Sequence, residues 1–152
     1  MLSQLWFLTD ATRRHLAIRV IAAPEAAERL RASQNDAAAA VASGPFGAGL
    51  RRTDVKSLLR TATLGYRLSE YSADNAEVVL WAVVVYGNDG GLATQSTWVT
   101  STVRLRWIGD WRLVEITSTP GPVPVQGPDT PSAAADLVRE AATLREFADA
   151  PA

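Results

Sequence analysis

Hydrophobic and polar positions alternate most clearly between Thr97 and Thr119. On the first arm of this stretch, apolar side chains take one set of alternate positions, and Thr and Arg take the other. A period of two predicts a β-strand with one dry face and one polar face. Gly109 and Asp110 separate this arm from a second one that is rich in β-branched and aromatic residues. The stretch therefore predicts an antiparallel hairpin. Its first arm has a dry face of Val99, Val103, Leu105 and Trp107 and a polar face of Thr100, Thr102, Arg104 and Arg106.

Two further strands precede the hairpin. Residues 63–71 alternate between apolar and polar side chains, and residues 77–86 form a nearly continuous apolar run. Such a run is typical of a central strand that is covered on both faces. Residues 72–75 and 87–91 are rich in turn formers and separate the strands. Four antiparallel strands in a meander follow from this pattern.

The first third of the chain shows helical spacing. Residues 2–22 predict a helix in two pieces, with a cap or break at Thr9 and Asp10. Pro24 ends this segment and opens a second, Ala-rich helix over residues 25–42. Helices followed by a run of strands predict an α+β fold, in which the helices lie over one face of the sheet.

A segment rich in Gly and Pro follows the Ala-rich helix. Residues 43–49 predict a loop, because this composition favours turns. Thr53 or Asp54 is then expected to cap a short helical turn through Leu58 and Leu59. No phosphate-binding pattern accompanies the three glycines of the loop.

The end of the chain differs in composition from the rest. Residues 120–131 are rich in Pro and Gly and predict a stiff, extended linker. Residues 132–152 predict a final amphipathic helix or tail, which packs either on the domain or on a partner. The organisation is therefore a domain over 1–119, a linker and a tail. The apolar stripe of the tail, which is the candidate partner-binding site, consists of Leu137, Ala141, Leu144 and Phe147.

Composition limits the function more than it defines it. The chain has 152 residues, a net charge of −1, one histidine and no cysteine. Such a length suits one domain, and a slightly acidic charge gives no field that would attract nucleic acid. Thiolate chemistry and a multi-histidine metal site are excluded within one chain. We therefore expect no metal and no cofactor, and no direct binding of nucleic acid.

Acidic and basic side chains that could act in catalysis are scattered along the chain. Glu115 is the most interesting, since it lies in the middle of a strand, but pairing with Arg104 or Arg106 across the hairpin accounts for it more simply. His15 is expected on a solvated helix face. No carboxylate pair and no nucleophile–base pair emerges, so we expect no catalytic residue. The candidates weighed are Asp10, His15, Asp54, Glu70, Asp74, Glu77 and Glu115.

Arg104, Arg106 and Arg112 form a local basic strip with tryptophans interleaved. Such a strip can bind single-stranded nucleic acid, in which bases stack on the aromatic rings. The slightly acidic overall charge argues against this interpretation.

Several strand segments carry a further signal, namely residues 66–72, 78–81, 97–107, 109–113 and 118–122. Together they resemble a group of bacterial proteins from conjugative and integrative elements. This group includes the TcpC family and the bitopic inner-membrane assembly factors of type IV secretion systems. The resemblance covers roughly residues 5–125 and implies a cystatin-like, or nuclear-transport-factor-two-like, roll in which helices pack on a curved four-stranded antiparallel sheet.

The resemblance also implies a function and a location. Proteins of this group carry one amino-terminal membrane helix, which this chain lacks, and an extracytoplasmic domain. The implied role is a non-enzymatic scaffold for DNA transfer, which contacts copies of itself and other membrane components of the machinery. The implied place is the outer face of the cytoplasmic membrane, or the cytoplasm if no upstream anchor exists.

A roll encloses a cone, and this leads to an alternative function. Related SnoaL-like enzymes hold an acid/base pair in the cone, and a cone lined with aromatic rings can bind a small apolar ligand. The alternative is therefore a small-ligand binder or a SnoaL-like enzyme. The candidate lining residues are Tyr66, Trp81, Trp98, Trp107 and Trp111.

Overall fold

The computed structural model describes residues 5–123 and residue 135. A 3-10 turn over Pro24–Ala26 links the second helix to the third. The side chain of Asp10 accepts a hydrogen bond of 2.8 Å from the backbone N–H of Arg13 and so caps the second helix. This confirms the predicted break between the first two helices. The helices are α1 (Trp6–Thr9), α2 (Ala11–Ile21), α3 (Ala27–Ser43) and α4 (Pro45–Leu50).

Helix α4 corrects the loop that was predicted over residues 43–49. Pro45 occupies its first turn, where the missing N–H is harmless, and Phe46 is buried. Gly47 lets this helix approach α3 closely, since a Cβ at this position would lie 2.3 Å from the carbonyl oxygen of Ala42. The glycine therefore serves helix packing rather than a turn.

Four strands follow, β1 (Ser57–Tyr71), β2 (Asn75–Asn88), β3 (Gln95–Trp107) and β4 (Trp111–Pro120). They form one antiparallel sheet in the order β1-β2-β3-β4. The α+β class and the four-stranded meander are thereby confirmed. The helical turn expected through Leu58 and Leu59 is wrong, because both residues lie in β1 and pair with Gly87 and Tyr86.

The register of the strands defines the two faces of the sheet. The ring of Phe46 on α4 lies 5.5 Å from the ring of Tyr86 on β2, so the face of Tyr86 is the one that the helices cover. We call it the helix face and the opposite one the open face. Residues paired across antiparallel strands share a face, and Val99, Val103 and Leu105 pair with residues of the helix face. The division of the β3 side chains between two faces is confirmed, but the apolar face is not dry, because its side chains are half-buried and Trp107 is 45% exposed. The helix face of β2 consists of Ala76, Val78, Leu80, Ala82, Val84 and Tyr86.

Strand β2 is central in the sheet, as its apolar run predicts. It is less covered than expected, however, because most of its apolar side chains are half-buried. Among residues 5–123, the helices pack mainly on the helix face. The open face is reached at its β4 side by Arg29, which lies 3.8 Å from Glu115, and by Glu25, which forms an ion pair with Arg106.

A buried cluster lies at the corner between α2 and α3, and three of its five members are alanines. Leu113 and Val114 of β4 pack against this corner, and the backbone N–H of Ala23 donates a hydrogen bond of 2.8 Å to the carbonyl of Leu113. Arg29 donates to the carbonyl of Val114 at 2.9 Å. The corner therefore docks on the outer edge of β4 through its backbone as well as its side chains. The buried members are Ile18, Ala22, Ala23, Ala26 and Leu30.

The contact between α4 and α3 is testable by Gly47→Ala. The added methyl group meets the backbone of Ala42, which cannot rotate away. We expect a loss of about 1–3 kcal/mol in the free energy of unfolding, measured by urea denaturation. Gly65→Ala is the matched control, because a Cβ there has no atom within 4 Å. Equal losses in both variants would contradict the packing role.

Candidate functional site

An apolar cavity of about 420 Å³ lies between the helices and the sheet at the end where β2 finishes. Leu8, Val41 and Phe46 reach it from α1, α3 and α4, and Val84 forms part of its floor. This size and lining suit a small apolar ligand. The remaining lining residues are Ala40, Gly44, Pro45, Leu59, Tyr86, Leu92, Gln95 and Thr97.

Polar groups in this cavity are few. The hydroxyl of Tyr86 donates a hydrogen bond of 2.8 Å to Oε1 of Gln95, and Thr97 adds another hydroxyl. Tyr86 is the one titratable side chain among the lining residues. The described lining can therefore orient a ligand, and it holds no second titratable group beside Tyr86.

None of the residues predicted to line a cone belongs to this cavity. Trp81 and Trp98 lie on the open face, with ring centroids 5.0 Å apart. The indole N–H of Trp81 donates to the carbonyl of Pro122 at 3.1 Å, and the backbone N–H of Gly121 donates to the carbonyl of Trp98 at 2.8 Å. The chain after β4 thus crosses over this tryptophan pair.

Tyr66, Trp107 and Trp111 lie on the helix face instead, at the end of the sheet away from the cavity. The rings of Trp107 and Trp111 are 5.5 Å apart, and the ring of Tyr71 lies 6.0 Å from that of Trp111. Tyr66 is 75% exposed and Trp107 is 45% exposed. Alternation along the strands places two of the five aromatic residues on one face and three on the other, whereas Tyr66 and Trp81 both line a hollow of about 370 Å³. A ligand site lined by these aromatic residues stays a prediction.

Glu115 belongs to an ion cluster on the open face. Nη1 of Arg104 lies 3.0 Å from Oε2 of Glu115, as the simpler interpretation predicts, and Nε of Arg104 lies 2.9 Å from Oε2 of Glu77. Hydrogen bonds from Arg104 and then Ser69 hold the pKa of the Glu77 carboxyl below its ordinary value. The Glu77 carboxylate is thereby stabilised in its ionised form on the sheet surface.

The other candidate acids and bases have local structural roles or are exposed. Nε2 of His15 is 3.0 Å from Oδ1 of Asn35, and His15 is half-buried rather than fully solvated as expected. Asp10 caps α2. A hydrogen bond from Arg52 lowers the pKa of Asp54. Two more candidates, Glu70 and Asp74, are exposed at the end of β1 and in the turn that follows it.

The basic strip predicted on the hairpin is compensated by neighbouring groups. Arg106 forms an ion pair with Glu25. Arg112 lies 3.8 Å from Asp110 and also donates to the carbonyl of Val20. These side chains are engaged within the domain, so the strip does not present a row of free cations.

Several expectations concern residues or groups that the structure does not place. The tail stripe of Leu137, Ala141, Leu144 and Phe147 lies outside the described residues, as does most of the 120–131 linker. Pro120, the first residue of that linker, is the last residue of β4. Within residues 5–123 and 135, no three His, Cys, Asp or Glu side chains are grouped to hold a metal ion. No helix among these residues combines the length and apolar character needed to cross a bilayer.

The sequence pattern does not predict this cavity. Its wall depends on α4, whose composition predicts a loop, and on the pairing of distant strand residues. Phe46 was the available signal, since one large apolar residue within a Gly-rich segment is more typical of a packed element than of a solvated loop.

The chain was also compared with known proteins. It matches no protein-family model, and it shows no significant similarity to a curated protein or to a solved structure.

The ion cluster makes a prediction about pH. Arg104→Ala should raise the pKa of Glu77 toward its ordinary value, which NMR titration of this carboxylate measures. A carboxyl with a lowered folded-state pKa adds stability above its unfolded pKa, and this contribution is lost as the pH falls through the folded value. The variant should therefore be less stable than the wild type at pH 7, and the difference should shrink below about pH 4.

Arg52→Ala is the control for this titration. This variant removes the surface arginine that lowers the pKa of Asp54. It should leave the pKa of Glu77 unchanged. A Glu77 titration that is the same in Arg104→Ala and the wild type would contradict the proposed cause.

Proposed function

We propose that this chain is a non-enzymatic assembly module, which acts through contacts with other protein chains. The observation that carries the proposal is the exposure of large apolar side chains along one end of the sheet. Tyr66 and Tyr71 are 75% and 71% exposed, and Leu68 is 56% exposed. A contiguous apolar surface of this kind on a soluble domain marks an interaction site.

The proposed setting is the one that the family resemblance implies. It is a membrane-anchored component of a conjugative, type IV secretion-like DNA-transfer machine, with the domain at the extracytoplasmic face and an upstream helix in the membrane. The domain would be a cystatin-like roll. The antiparallel four-stranded sheet preceded by helices supports this finer assignment, and so do the strand segments that carry the resemblance.

The ion cluster on the open face supports a role without chemistry. General acid/base catalysis needs a titratable group held in a cavity near the substrate, with a pKa close to the working pH. Glu77 has a lowered pKa and sits with Glu115 beside Arg104, outside the apolar cavity. These side chains are suited to structure rather than to proton transfer.

The partners in this proposal are further copies of the chain and other membrane components of the machinery. The tail stripe of Leu137, Ala141, Leu144 and Phe147 is a second proposed contact element, on the evidence of its apolar spacing alone.

Light scattering on the full chain tests the proposal. We expect a mass above the 16.3 kDa of one chain, because exposed apolar surface favours association. A chain that ends at Val125 should form a smaller assembly if the tail contributes. A full chain that stays monomeric at every concentration would contradict self-assembly.

The cavity favours a second candidate function, the binding of a small apolar ligand. A medium-chain fatty acid such as decanoate is a suitable probe, and its binding can be measured by calorimetry. Val84→Phe, which fills the cavity, should abolish binding. Val85→Phe is the matched control, because alternation places it on the open face. Equal binding by both variants would exclude this cavity as the site.

A further inference from the structure

Strand β1 forms an edge of the sheet and pairs with β2 alone among the described residues. Residues 61–71 of this strand are exposed throughout. The backbone N–H and C=O groups on the outer side of an edge strand are a template for another strand. The opposite edge differs, because the corner between α2 and α3 docks on β4.

The side chains of this edge are divided by face. Tyr66, Leu68 and Tyr71 pair with residues of the helix face of β2. Arg67 and Glu70 pair with Val79 and Glu77, on the open face. A register shift between Leu68 and Glu70 leaves Ser69 as an extra residue. This bulge allows Arg67 and Glu70 to share a face although they are three positions apart.

Strand β1 is complementary to β1 of a second copy of the chain when the two strands run antiparallel. A two-fold axis at Leu68 sets this leucine beside its own copy. With Ser69 bulged in both strands, Arg67 of each copy then lies opposite Glu70 of the other. Tyr66 likewise lies opposite Tyr71. Both charges are exposed, and neither is in an ion pair within residues 5–123.

We propose that β1 binds β1 of a second copy in this antiparallel arrangement, so that two four-stranded sheets become one continuous sheet. This inference rests on the proposed assembly function and names its partner and its surface. An axis at Arg67 would instead set two like charges opposite each other, which destabilises a strand pair. Charge complementarity therefore selects both the occupant and the register.

The pairing also extends the exposed apolar surface. Tyr66, Leu68 and Tyr71 of both copies would lie side by side on the helix face. In each copy they continue toward the ring of Trp111, which is 6.0 Å from that of Tyr71. Aromatic and aliphatic cross-strand pairs of this kind stabilise an antiparallel ladder.

Charge reversal in the full chain tests the proposal. Arg67→Glu or Glu70→Arg alone places like charges opposite each other twice per dimer. Sedimentation equilibrium should then show dimerisation weakened about tenfold or more. The double variant R67E/E70R restores opposite charges at both positions and should return the dimerisation constant to within about threefold of the wild type. Arg19→Glu, an exposed reversal on α2, is the matched control and should leave the constant unchanged.

A cross-link tests the position of the axis independently of charge. The natural chain has no cysteine, so Leu68→Cys introduces a single thiol that should form a disulfide-linked dimer under mild oxidation. Thr117→Cys, exposed on β4, should remain monomeric on a non-reducing gel. Association that is indifferent to charge reversal, with no cross-link at position 68, would overturn the edge pairing and leave the assembly proposal standing. A wild-type chain that is monomeric at every concentration would contradict the assembly proposal itself.

Discussion

Twelve consecutive residue pairs, from Asn75 and Arg106 to Tyr86 and Gln95, hold β2 and β3 in one register without a shift. Because side chains alternate strictly along both strands, this register decides which residues face the helices and which face away. A slip of one residue would expose Val84 and Tyr86 and turn Trp81 inward. The helix packing, the apolar cavity and the ion cluster on the open face all depend on this pairing of the two central strands.

The two edge strands of the sheet, β1 and β4, differ in whether helices contact their outer side. The corner at Ala22 and Ala23 reaches the backbone of Leu113 on β4 and satisfies polar groups there. No equivalent contact covers the outer side of β1 from the described helices, since α4 touches only the beginning of that strand. Edge strands in monomeric proteins are commonly covered or shortened. The exposed residues 62–71 of this edge, with their two tyrosines, are therefore the surface to which we assign the proposed partner.

Much of the fold follows from local patterns. The alternation in residues 97–107 identified a strand and assigned its faces, and Asp10 marked the break between two helices. The patterns were insufficient where a distant contact decides the structure. Gly47 is needed because α4 lies against the backbone of Ala42. The composition of residues 43–49 alone does not reveal this contact. The aromatic residues were grouped by type, whereas their position in the alternation separates Trp81 and Trp98 from the other three. The cavity depends on the packing of α4 and on which strand residues face the helices, so local sequence patterns do not predict its lining.

The docking of the helices on β4 has a consequence for biosynthesis. Val20 and Arg112, which are joined by a hydrogen bond, lie 92 positions apart in the chain, and Arg29 and Val114 lie 85 apart. The helices therefore leave the ribosome long before the strand that completes their core. During translation their apolar residues, such as Ile18 and Leu30, have no sheet to bury them. Contacts so distant in sequence slow folding and lengthen the exposure of nascent segments. The domain can become stable only once its last strand has been made.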